Sequence, residues 1–305
     1  MSHDSGMAGC GSSVKAHAKL NIALRVLARE ESGFHSIETL LLRLELADRL
    51  EIEETGDEKI DVEVLGDPDV PADSSNLCVR AAEAIRRRVG HRNGVRILLE
   101  KRIPAGAGLG GGSSDAAAVL SCLNARWGLP LDDGELVRLG GELGSDIPFF
   151  LCGSPMALAW ERGRRLLTLA APPSRPVLVL VPDYPIGAAD AYRWLAEARD
   201  AGSVSPPGPA LLPPPGAFSE WTSLKSIARN DLEEAVFARN PDLARLRDAL
   251  LAGGAEIAAL CGSGSCVAGV FQDASGLESA AGRFEGQEGL SLIRTRTQED
   301  SQRPG

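Results

Sequence analysis

Apolar and polar residues alternate with two different periods along the 305-residue chain, which predicts a mixture of strands and helices. Strands are predicted where every second residue is apolar, and helices where apolar residues recur three or four positions apart. The predicted strands cover residues 14–27, 39–53 with a turn at Ala47 and Asp48, 60–65, 94–101, 176–181, 256–261, 265–271 and 290–295. The predicted helices cover 76–89, 113–127, 131–143, 190–198, 241–251 and 274–284, and a further helix begins at 230–233.

Length and local composition predict two domains. A chain of 305 residues is longer than a single hydrophobic core usually organises. The composition changes near Ala171, Pro172 and Pro173, so we expect an N-terminal domain over residues 10–170, a C-terminal domain over 171–297 and a polar tail over 298–305. The segment 203–217 is rich in proline, which predicts an exposed loop without ladder or helix hydrogen bonds.

A glycine-rich loop separates the predicted strand 94–101 from the predicted helix 113–127. It contains Gly106, Gly108, Gly110, Gly111 and Gly112. Glycine lets the backbone bend sharply and lets a bulky group approach the amide protons. The first amides of the following helix lack internal acceptors and lie at the positive end of its dipole, so the loop predicts a phosphate site. The alternative is a glycine-rich turn that only joins strand to helix.

Two common nucleotide-binding motifs do not fit this loop. The Walker pattern requires a lysine after its last glycine, whereas Gly112 follows Gly111 here. The spacing of Gly106, Gly108 and Gly111 agrees with the dinucleotide fingerprint, but that unit needs a second strand ending in an acid about 20 residues on. Residues 131–143 are predicted to be helical instead, which argues against a dinucleotide-dependent oxidoreductase.

Composition narrows the class of protein further. The hydrophobic fraction of 44% and the charged fraction of 24% are typical of a soluble globular protein. The net charge of −10 argues against nonspecific binding of nucleic acid, so no nucleic-acid partner is expected. The chain has neither a run of about 18 apolar residues nor a signal or transit peptide, so we expect no membrane association and a cytoplasmic location. Its six cysteines include no Cys-x-x-Cys pair, so no zinc motif is visible.

Several polar residues in apolar surroundings are candidate site residues. Lys19 and Asn21 interrupt the strand 14–27 and share one of its faces, although an exposed strand edge would look the same. Asp146 stands at a bend after a predicted helix, directly before an apolar segment that contains Pro148. In that position a carboxylate can act as a base or hold a cation, or it can simply form an Asx turn.

Two further segments suit the recognition of a base and of a phosphate chain. A flat ring could stack on Phe34 while His35 bonds to its edge; a structural histidine is the alternative. Gly262, Ser263 and Gly264 form a second glycine turn, whose amides could meet a phosphate chain or a diphosphate. A plain hairpin turn is the alternative there.

The order of these motifs resembles that of the GHMP kinases. The matching segments are Ala18-Lys19-Leu20-Asn21, Gly33-Phe34-His35, residues 104–117, residues 144–150 and Gly262-Ser263-Gly264. The likeness spans about residues 14–296, and its Gly-Gly-Gly-Ser-Ser-Asp-Ala-Ala form is specific to a branch that phosphorylates a cytidine diphosphate derivative in isoprenoid precursor biosynthesis. The resemblance implies an α+β fold of two lobes, an N-terminal ATP-binding lobe and a C-terminal ferredoxin-like lobe.

The resemblance also implies a role for each matching position. Asp146 would stand at the hydroxyl that receives the phosphoryl group, with Lys19 beside it. The ATP phosphates would be wrapped by Pro104, Ala105, Gly106, Ala107, Gly108, Leu109, Gly110, Gly111, Gly112, Ser113 and Ser114. The substrate, with its cytidine diphosphate group, would be bound by Asn21, Phe34, His35, Tyr192, Gly262, Ser263 and Gly264. ATP and Mg²⁺ are the expected co-substrate and metal, the protein ligands of the metal are not predicted, and a monomer or weak homodimer is expected.

Several positions depart from the family pattern, among them residues 41–45, which lack the usual aromatic or glutamine character. Phe34 replaces a usual tyrosine, which preserves stacking but loses a hydroxyl, His17 replaces a proline, and Ala188 stands where threonine or serine is expected. The alternatives within and beside the family are a kinase for another small alcohol, of homoserine or mevalonate type, and a ligand-binding member without catalysis. The second would be expected to lack Asp146 or Lys19.

Overall fold

The computed structural model describes residues 13–29, 35–161, 163, 165–207 and 217–300, which form two β-sheets with helices packed on them. The strands are β1 (Val14–Arg29), β2 (His35–Thr55), β3 (Ile60–Leu65), β4 (Gly94–Glu100), β5 (Met156–Trp160), β6 (Arg165–Leu169), β7 (Pro176–Pro182), β8 (Arg229–Asn230), β9 (Ile257–Leu260), β10 (Val267–Val270) and β11 (Leu290–Arg296). The α-helices are α1 (Leu77–Val89), α2 (Gly111–Arg126), α3 (Asp133–Leu143), α4 (Ile147–Leu151), α5 (Ala188–Asp200), α6 (Trp221–Ile227), α7 (Glu233–Arg239), α8 (Pro241–Ala252) and α9 (Ala274–Ala281).

The long strand β2 organises the first sheet. Its strands lie in the order β3-β4-β2-β1-β8, and β5 pairs with β2 and carries β6 on its other side. Residues 49–55 of β2 pair with β4, and residues 38–42 pair with β5, so one strand serves both ends of the sheet. Helices α1 and α2 cover the sheet with a core of branched and small apolar side chains. This arrangement places the glycine-rich loop shortly after β4, which lies between β3 and β2.

The predicted turn at Ala47 and Asp48 is wrong, because β2 continues through both residues. A carboxylate inside a strand suggests a turn, but the Asp48 side chain is fully buried in this sheet. It accepts hydrogen bonds from the backbone N–H groups of Arg102 (2.6 Å) and Ile103 (2.8 Å), and it pairs with the Lys101 ammonium. The hydrogen-bond partners of the Asp48 carboxylate therefore lie more than 50 residues away, although the local pattern assigns this residue to a turn.

The second sheet confirms the predicted ferredoxin-like lobe. Its strand order is β11-β7-β10-β9, and every neighbouring pair is antiparallel. Helices α5 to α8 connect β7 to β9, and α9 connects β10 to β11, which is the βαββαβ arrangement with additional helices. The hairpin of β5 and β6 and the helix α6 were not predicted, and helix α2 begins at Gly111 rather than at residue 113.

The two sheets are joined through a shared core. Strand β8, from the C-terminal half of the chain, pairs in parallel with β1, and Leu44 of β2 bridges to Thr297. One apolar cluster contains side chains of both sheets, among them Leu42 and Val179. The domain boundary at residues 170 and 171 stays a prediction. In the described part of the chain, every helix is too short or too polar to cross a bilayer.

Candidate active site

A cleft of ≈ 500 Å³ lies where the glycine-rich loop, β1 and the second glycine turn converge. Residues 104–113 form one wall of the cleft. The cleft is also lined by Lys19 and Asn21 of β1, Asp146 before α4, Tyr192 of α5, and Gly262 and Ser263 of the second glycine turn. Residues that the sequence separates by more than 240 positions therefore meet around one cavity.

The N-terminus of α2 presents free amide donors to this cleft. The first hydrogen bond inside the helix runs from the Ser114 N–H to the Gly110 carbonyl, at 2.9 Å. The N–H groups of Gly111, Gly112 and Ser113 precede that bond, so the helix itself supplies them with no acceptor. These three residues line the cleft, whereas Ser114 is buried and does not. The predicted phosphate-binding set is thus assembled except for Ser114, whose amide is occupied within the helix.

Gly108 is the point where the two glycine turns touch. Its φ of +77° lies in the left-handed region, and a Cβ added there would be 1.7 Å from the Cys261 carbonyl oxygen. Gly108 is therefore required for two reasons, its backbone conformation and the close approach of another backbone. The nearby Gly106 has a similar φ of +65°, but a Cβ there would meet only the Pro185 Cβ, at 3.7 Å.

This difference predicts unequal effects of alanine at the two glycines. Gly106→Ala should lower the free energy of unfolding by about 1–2 kcal/mol, the usual cost of a left-handed alanine. Gly108→Ala should cost clearly more, because the loop must shift away from Cys261. Urea unfolding measures both free energies. Free energies of unfolding equal within about 0.5 kcal/mol would show that the contact with Cys261 has no consequence.

Lys19 is a buried cation that holds the glycine-rich loop. Its side chain is only 3% exposed, and its Nζ donates hydrogen bonds to the Gly108 carbonyl at 2.8 Å and to Asn21 Oδ1 at 2.7 Å. Its backbone N–H donates to the Leu109 carbonyl at 2.9 Å. The interpretation of Lys19 as a solvated edge residue is therefore wrong. Two of these bonds fix the loop on β1, and the third, to Asn21, orients the ammonium within that strand.

Asp146 faces the Lys19 ammonium across the cleft. Its Oδ2 lies 3.6 Å from Lys19 Nζ, and its side chain is 31% exposed. Asp146 precedes the first residue of α4 but makes no capping hydrogen bond, so its carboxylate is not used to end or begin a helix. An ammonium and a partly exposed carboxylate at this distance suit the transfer of a proton from a group bound between them.

The part of the cleft beside Lys19 and Asp146 also contains most of the predicted substrate residues. Asn21 Nδ2 donates to Thr39 Oγ1 at 2.8 Å, and Thr39 donates to the Ala23 carbonyl at 2.8 Å, which fixes the Asn21 amide. Burial raises the pKa of the Tyr192 phenol, and the nearby Asp146 carboxylate raises it further, so the ring stays neutral. Ala188, from the first turn of α5, lies on the same wall.

Three of the predicted substrate residues are not placed in the cleft. Gly264 belongs to the second glycine turn, where its N–H donates to the Cys261 carbonyl at 2.8 Å, but it does not line the cavity. Phe34 lies outside the described residues. The backbone of His35 begins β2, but its side chain also lies outside the described part of the chain. The prediction that these two residues read a base stays a prediction.

Sequence reasoning missed a buried charge cluster beneath the loop. The Lys101 ammonium donates to Asp48 Oδ2 at 2.5 Å and to Asp115 Oδ2 at 2.8 Å. Burial raises the pKa of Asp115 to about 7, although the Lys101 charge opposes that shift. The only signal in the sequence was the acidic residue inside the small-residue helix α2, which by itself indicates no partner.

Asn230 was also missed as a site residue, because it was predicted to begin a helix. It lies instead in the short strand β8 and is 5% exposed. Its Nδ2 donates to the carbonyls of Leu260 (3.0 Å) and Gly262 (2.7 Å), and its Oδ1 accepts from the Leu232 N–H. Asn230 therefore anchors the second glycine turn to β8, which pairs with β1, the strand that contains Lys19.

Comparison with known proteins gives matches over most of the chain. The family profile for the GHMP kinases N terminal domain matches residues 76–154, and that for the GHMP kinases C terminal matches residues 217–287. A 4-diphosphocytidyl-2-C-methyl-D-erythritol kinase of Anaeromyxobacter dehalogenans is 43% identical over 275 residues, which cover 89% of this chain and 84% of that protein. One of the same name from Symbiobacterium thermophilum is 37% identical over 85% of this chain and 90% of its own.

Solved structures agree with the sequence matches. A crystal structure of 4-(cytidine 5'-diphospho)-2C-methyl-D-erythritol kinase superposes with a TM-score of 0.76 at 34% identity, covering 94% of this chain and all (100%) of the other. A homoserine kinase from Cytophaga hutchinsonii superposes with a TM-score of 0.67 at 16% identity, covering 95% of each chain. At that identity, the second comparison shows the shared fold alone.

Proposed function

We propose that the cleft of this protein phosphorylates the 2-hydroxyl of 4-diphosphocytidyl-2-C-methyl-D-erythritol. The premise is that the chain belongs to the 4-diphosphocytidyl-2-C-methyl-D-erythritol kinases of the GHMP family. As a kinase of this family it uses ATP as the phosphoryl donor, and the reaction belongs to the non-mevalonate route to isoprenoid precursors. The observation that carries the proposal is the pairing of Lys19 with Asp146 at 3.6 Å beside the open amides of α2. It combines a phosphate site, a cation and a base in one cavity.

The nucleotide would lie along the wall formed by the glycine-rich loop. The triphosphate would accept hydrogen bonds from the free amides of Gly111, Gly112 and Ser113, at the positive end of α2. Val70 and Leu77 also line the cleft and would offer apolar contacts to the adenosine. Lys19 would face the terminal phosphate at the other end. Fixed amides and one ammonium supply the positive field in a protein whose net charge is −10.

Phosphoryl transfer in this arrangement depends mainly on alignment and charge neutralisation. The acceptor hydroxyl oxygen attacks the γ-phosphorus while the bond to the bridging oxygen of ADP breaks, and Asp146 Oδ2 takes the hydroxyl proton. The Lys19 ammonium stabilises the negative charge on the transferring phosphoryl oxygens. Because Lys19 also bonds to Gly108 and Asn21, it is positioned before the substrates arrive.

The acceptor would occupy the end of the cleft between β1 and α5. The amide of Asn21 suits the hydroxyl groups of the methylerythritol end, and the ring of Tyr192 offers a flat face to the cytosine. The backbone of Gly262 and Ser263 lies between these two positions in the proposed pose and suits the diphosphate. Phe34 and His35 are proposed to complete the cytosine site.

The donor atoms beside the loop fit Mg²⁺ brought by the nucleotide. The described residues contain no cluster of three or more His, Cys, Asp or Glu side chains able to hold a metal. Mg²⁺ commonly keeps several waters and takes one or two protein oxygens together with substrate phosphates. The Ser113 hydroxyl is an oxygen donor in this cleft and would hold it there together with the phosphate oxygens. Bound Mg²⁺ supplies neutralisation of the phosphate charge.

A comparison of acceptors tests this function directly. The purified protein should release ADP from ATP in the presence of 4-diphosphocytidyl-2-C-methyl-D-erythritol, measured by a coupled assay. Mevalonate and homoserine at the same concentration should give rates at least about 10²-fold lower, because neither presents a cytosine or a diphosphate to the polar end of the cleft. Release with mevalonate or homoserine alone would overturn the proposed substrate and leave only the reaction class.

A further inference from the structure

Arg43 stands directly opposite Lys19 in the antiparallel pairing of β1 and β2. Residues directly opposite in such a pair project from the same face of the sheet. Both cations reach the short helix α4, but at different ends. Lys19 lies 3.6 Å from Asp146 at the N-terminal end, and Arg43 Nη2 donates to the carbonyls of Phe149 and Phe150 at 3.0 and 2.9 Å.

The contacts of Arg43 are those of a helix clamp. Carbonyls near the C-terminal end of a helix lack internal donors and carry partial negative charge, which a cation stabilises. The guanidinium carbon also lies 5.3 Å from the centre of the Phe149 ring and 5.9 Å from that of Phe150, within the range of cation–π attraction. The backbone of Arg43 is itself fixed, because its N–H donates to the Pro155 carbonyl at 2.8 Å.

We propose that Arg43 is a positioning residue for phosphoryl transfer, which holds α4 so that Asp146 stays aligned with Lys19. The proposal rests on the proposed function only for the roles of these two residues. Arg43 does not line the cleft and touches neither substrate in the proposed pose. It acts through the helix, and the two adjacent strands place one cation at each end of that helix.

The length of α4 explains why such a clamp reaches the reacting atoms. A helix of five residues is too short to be stable by itself, so its position depends on tertiary contacts. At about 1.5 Å per residue, the carbonyls held by Arg43 lie only about 5–6 Å along the axis from Asp146. Asp146 makes no capping bond that would hold its carboxylate independently. A shift at the C-terminal end of α4 is therefore transmitted to Asp146.

The test uses Arg43→Met and Arg43→Lys, with Arg175→Met as the matched control. Arg175 is also half-buried, but its side chain lies 4.9 Å over the Trp221 ring and pairs with Glu256 instead of contacting α4. It does not line the cleft. Because a misplacement of about 1 Å can cost 10²-fold in rate, we expect kcat to fall about 10- to 100-fold in Arg43→Met. The dissociation constant of a nonhydrolysable ATP analogue should change less than about threefold, since the α2 amides are retained.

Arg43→Lys keeps the charge but has a single ammonium in place of the planar guanidinium. Its kcat should therefore lie between that of Arg43→Met and that of the unmodified protein. Crystal structures of the variants should show the distance from Lys19 Nζ to Asp146 Oδ2 longer than 3.6 Å in Arg43→Met and nearer to it in Arg43→Lys. The kcat of Arg175→Met should match that of the unmodified protein. A thermal scan of each variant establishes which ones are folded at the assay temperature.

The outcomes separate this proposal from the proposed function. A folded Arg43→Met protein with kcat within about twofold of the unmodified protein would overturn the positioning role, as would a loss of kcat without a change in the distance between Lys19 and Asp146. If Arg43→Met does not fold, the kcat and the distance in Arg43→Lys decide. If the unmodified protein does not phosphorylate the proposed acceptor, the substrate assignment fails, and the distance in the variant structures still decides the role of Arg43.

Discussion

Asp146→Asn is expected to lower kcat at least about 10²-fold, because the amide cannot accept the proton of the attacking hydroxyl. The substitution keeps the size and shape of the side chain. Asp146 makes no capping hydrogen bond, so we expect the melting temperature to stay the same and the affinity for an ATP analogue to change little. The measurement is ADP release at saturating ATP and acceptor, together with a thermal scan of the same preparation.

Asp273→Asn is the matched control for that experiment. The Asp273 carboxylate accepts a hydrogen bond from the Gly276 N–H at the start of α9, where asparagine is an equally good cap. It lies away from the cleft, so its kcat should equal that of the unmodified protein. A kcat for Asp146→Asn within tenfold of the unmodified protein would rule out Asp146 as the base and leave alignment as the main source of catalysis.

Lys19→Met is expected to lower kcat about 10²- to 10³-fold, the usual effect of removing one charge that stabilises a transition state. Methionine keeps most of the apolar stem that lies against Gly110, but it removes the ammonium beside the transferring phosphoryl group. Asn21 Oδ1 and the Gly108 carbonyl also lose a donor, so the free energy of unfolding should fall by about 1–3 kcal/mol. Kinetics should therefore be measured well below the melting temperature of the variant.

Lys15→Met gives the matched control for Lys19, because Lys15 lies on the same strand but is exposed. Its kcat and melting temperature should both be unchanged. Lys19→Arg keeps the positive charge with a different shape, and it should recover only part of the rate, since the guanidinium cannot make the same bonds at the Gly108 carbonyl. A Lys19→Met protein with normal kcat would remove Lys19 from the mechanism and leave it only a structural role in holding the loop.

The proposed chemistry explains how an acidic protein can bind two polyanionic substrates. The net charge is −10, yet the cleft contains the Lys19 ammonium and the open N-terminus of α2. The other buried cation nearby, Lys101, is neutralised by Asp48 and Asp115 and supports the loop from below. Attraction for the phosphates therefore depends on a few fixed groups, and single substitutions among them should have large effects.

Local sequence was sufficient to predict the glycine-rich wall of the cleft. The glycines before α2 and the small residues within it predicted a loop that ends in open amides, and residues 104–113 do line the cleft. Amide donation at a helix end is a property of the backbone over a few residues, so no distant partner is needed to infer it. For the same reason, the predicted strands 94–101 and 176–181 and the helices 76–89 and 241–251 are close to the observed elements.

Local sequence failed where a side chain depends on a distant partner. Asp48 was placed in a turn because its partners Lys101, Arg102 and Ile103 lie more than 50 residues away. Asn230 was placed at the start of a helix, although it holds the second glycine turn. The resemblance to a kinase family implied that Lys19 and Asp146 meet, but neither the strand nor the bend that contains them predicted it.

The sequence by itself determined most strands and helices and the glycine-rich loop with its open amides, because those features follow from the periodicity and backbone chemistry of short segments. The two α+β lobes were implied by the resemblance to the GHMP kinases. Only the tertiary structure decided which charges face that loop. The pairing register of β1 with β2 sets Lys19 opposite Arg43, and the packing of α4 sets Asp146 against Lys19. Coulombic and hydrogen-bond energies depend on distances of a few ångströms between residues far apart in the chain, and such distances exist only once the sheets and helices have packed.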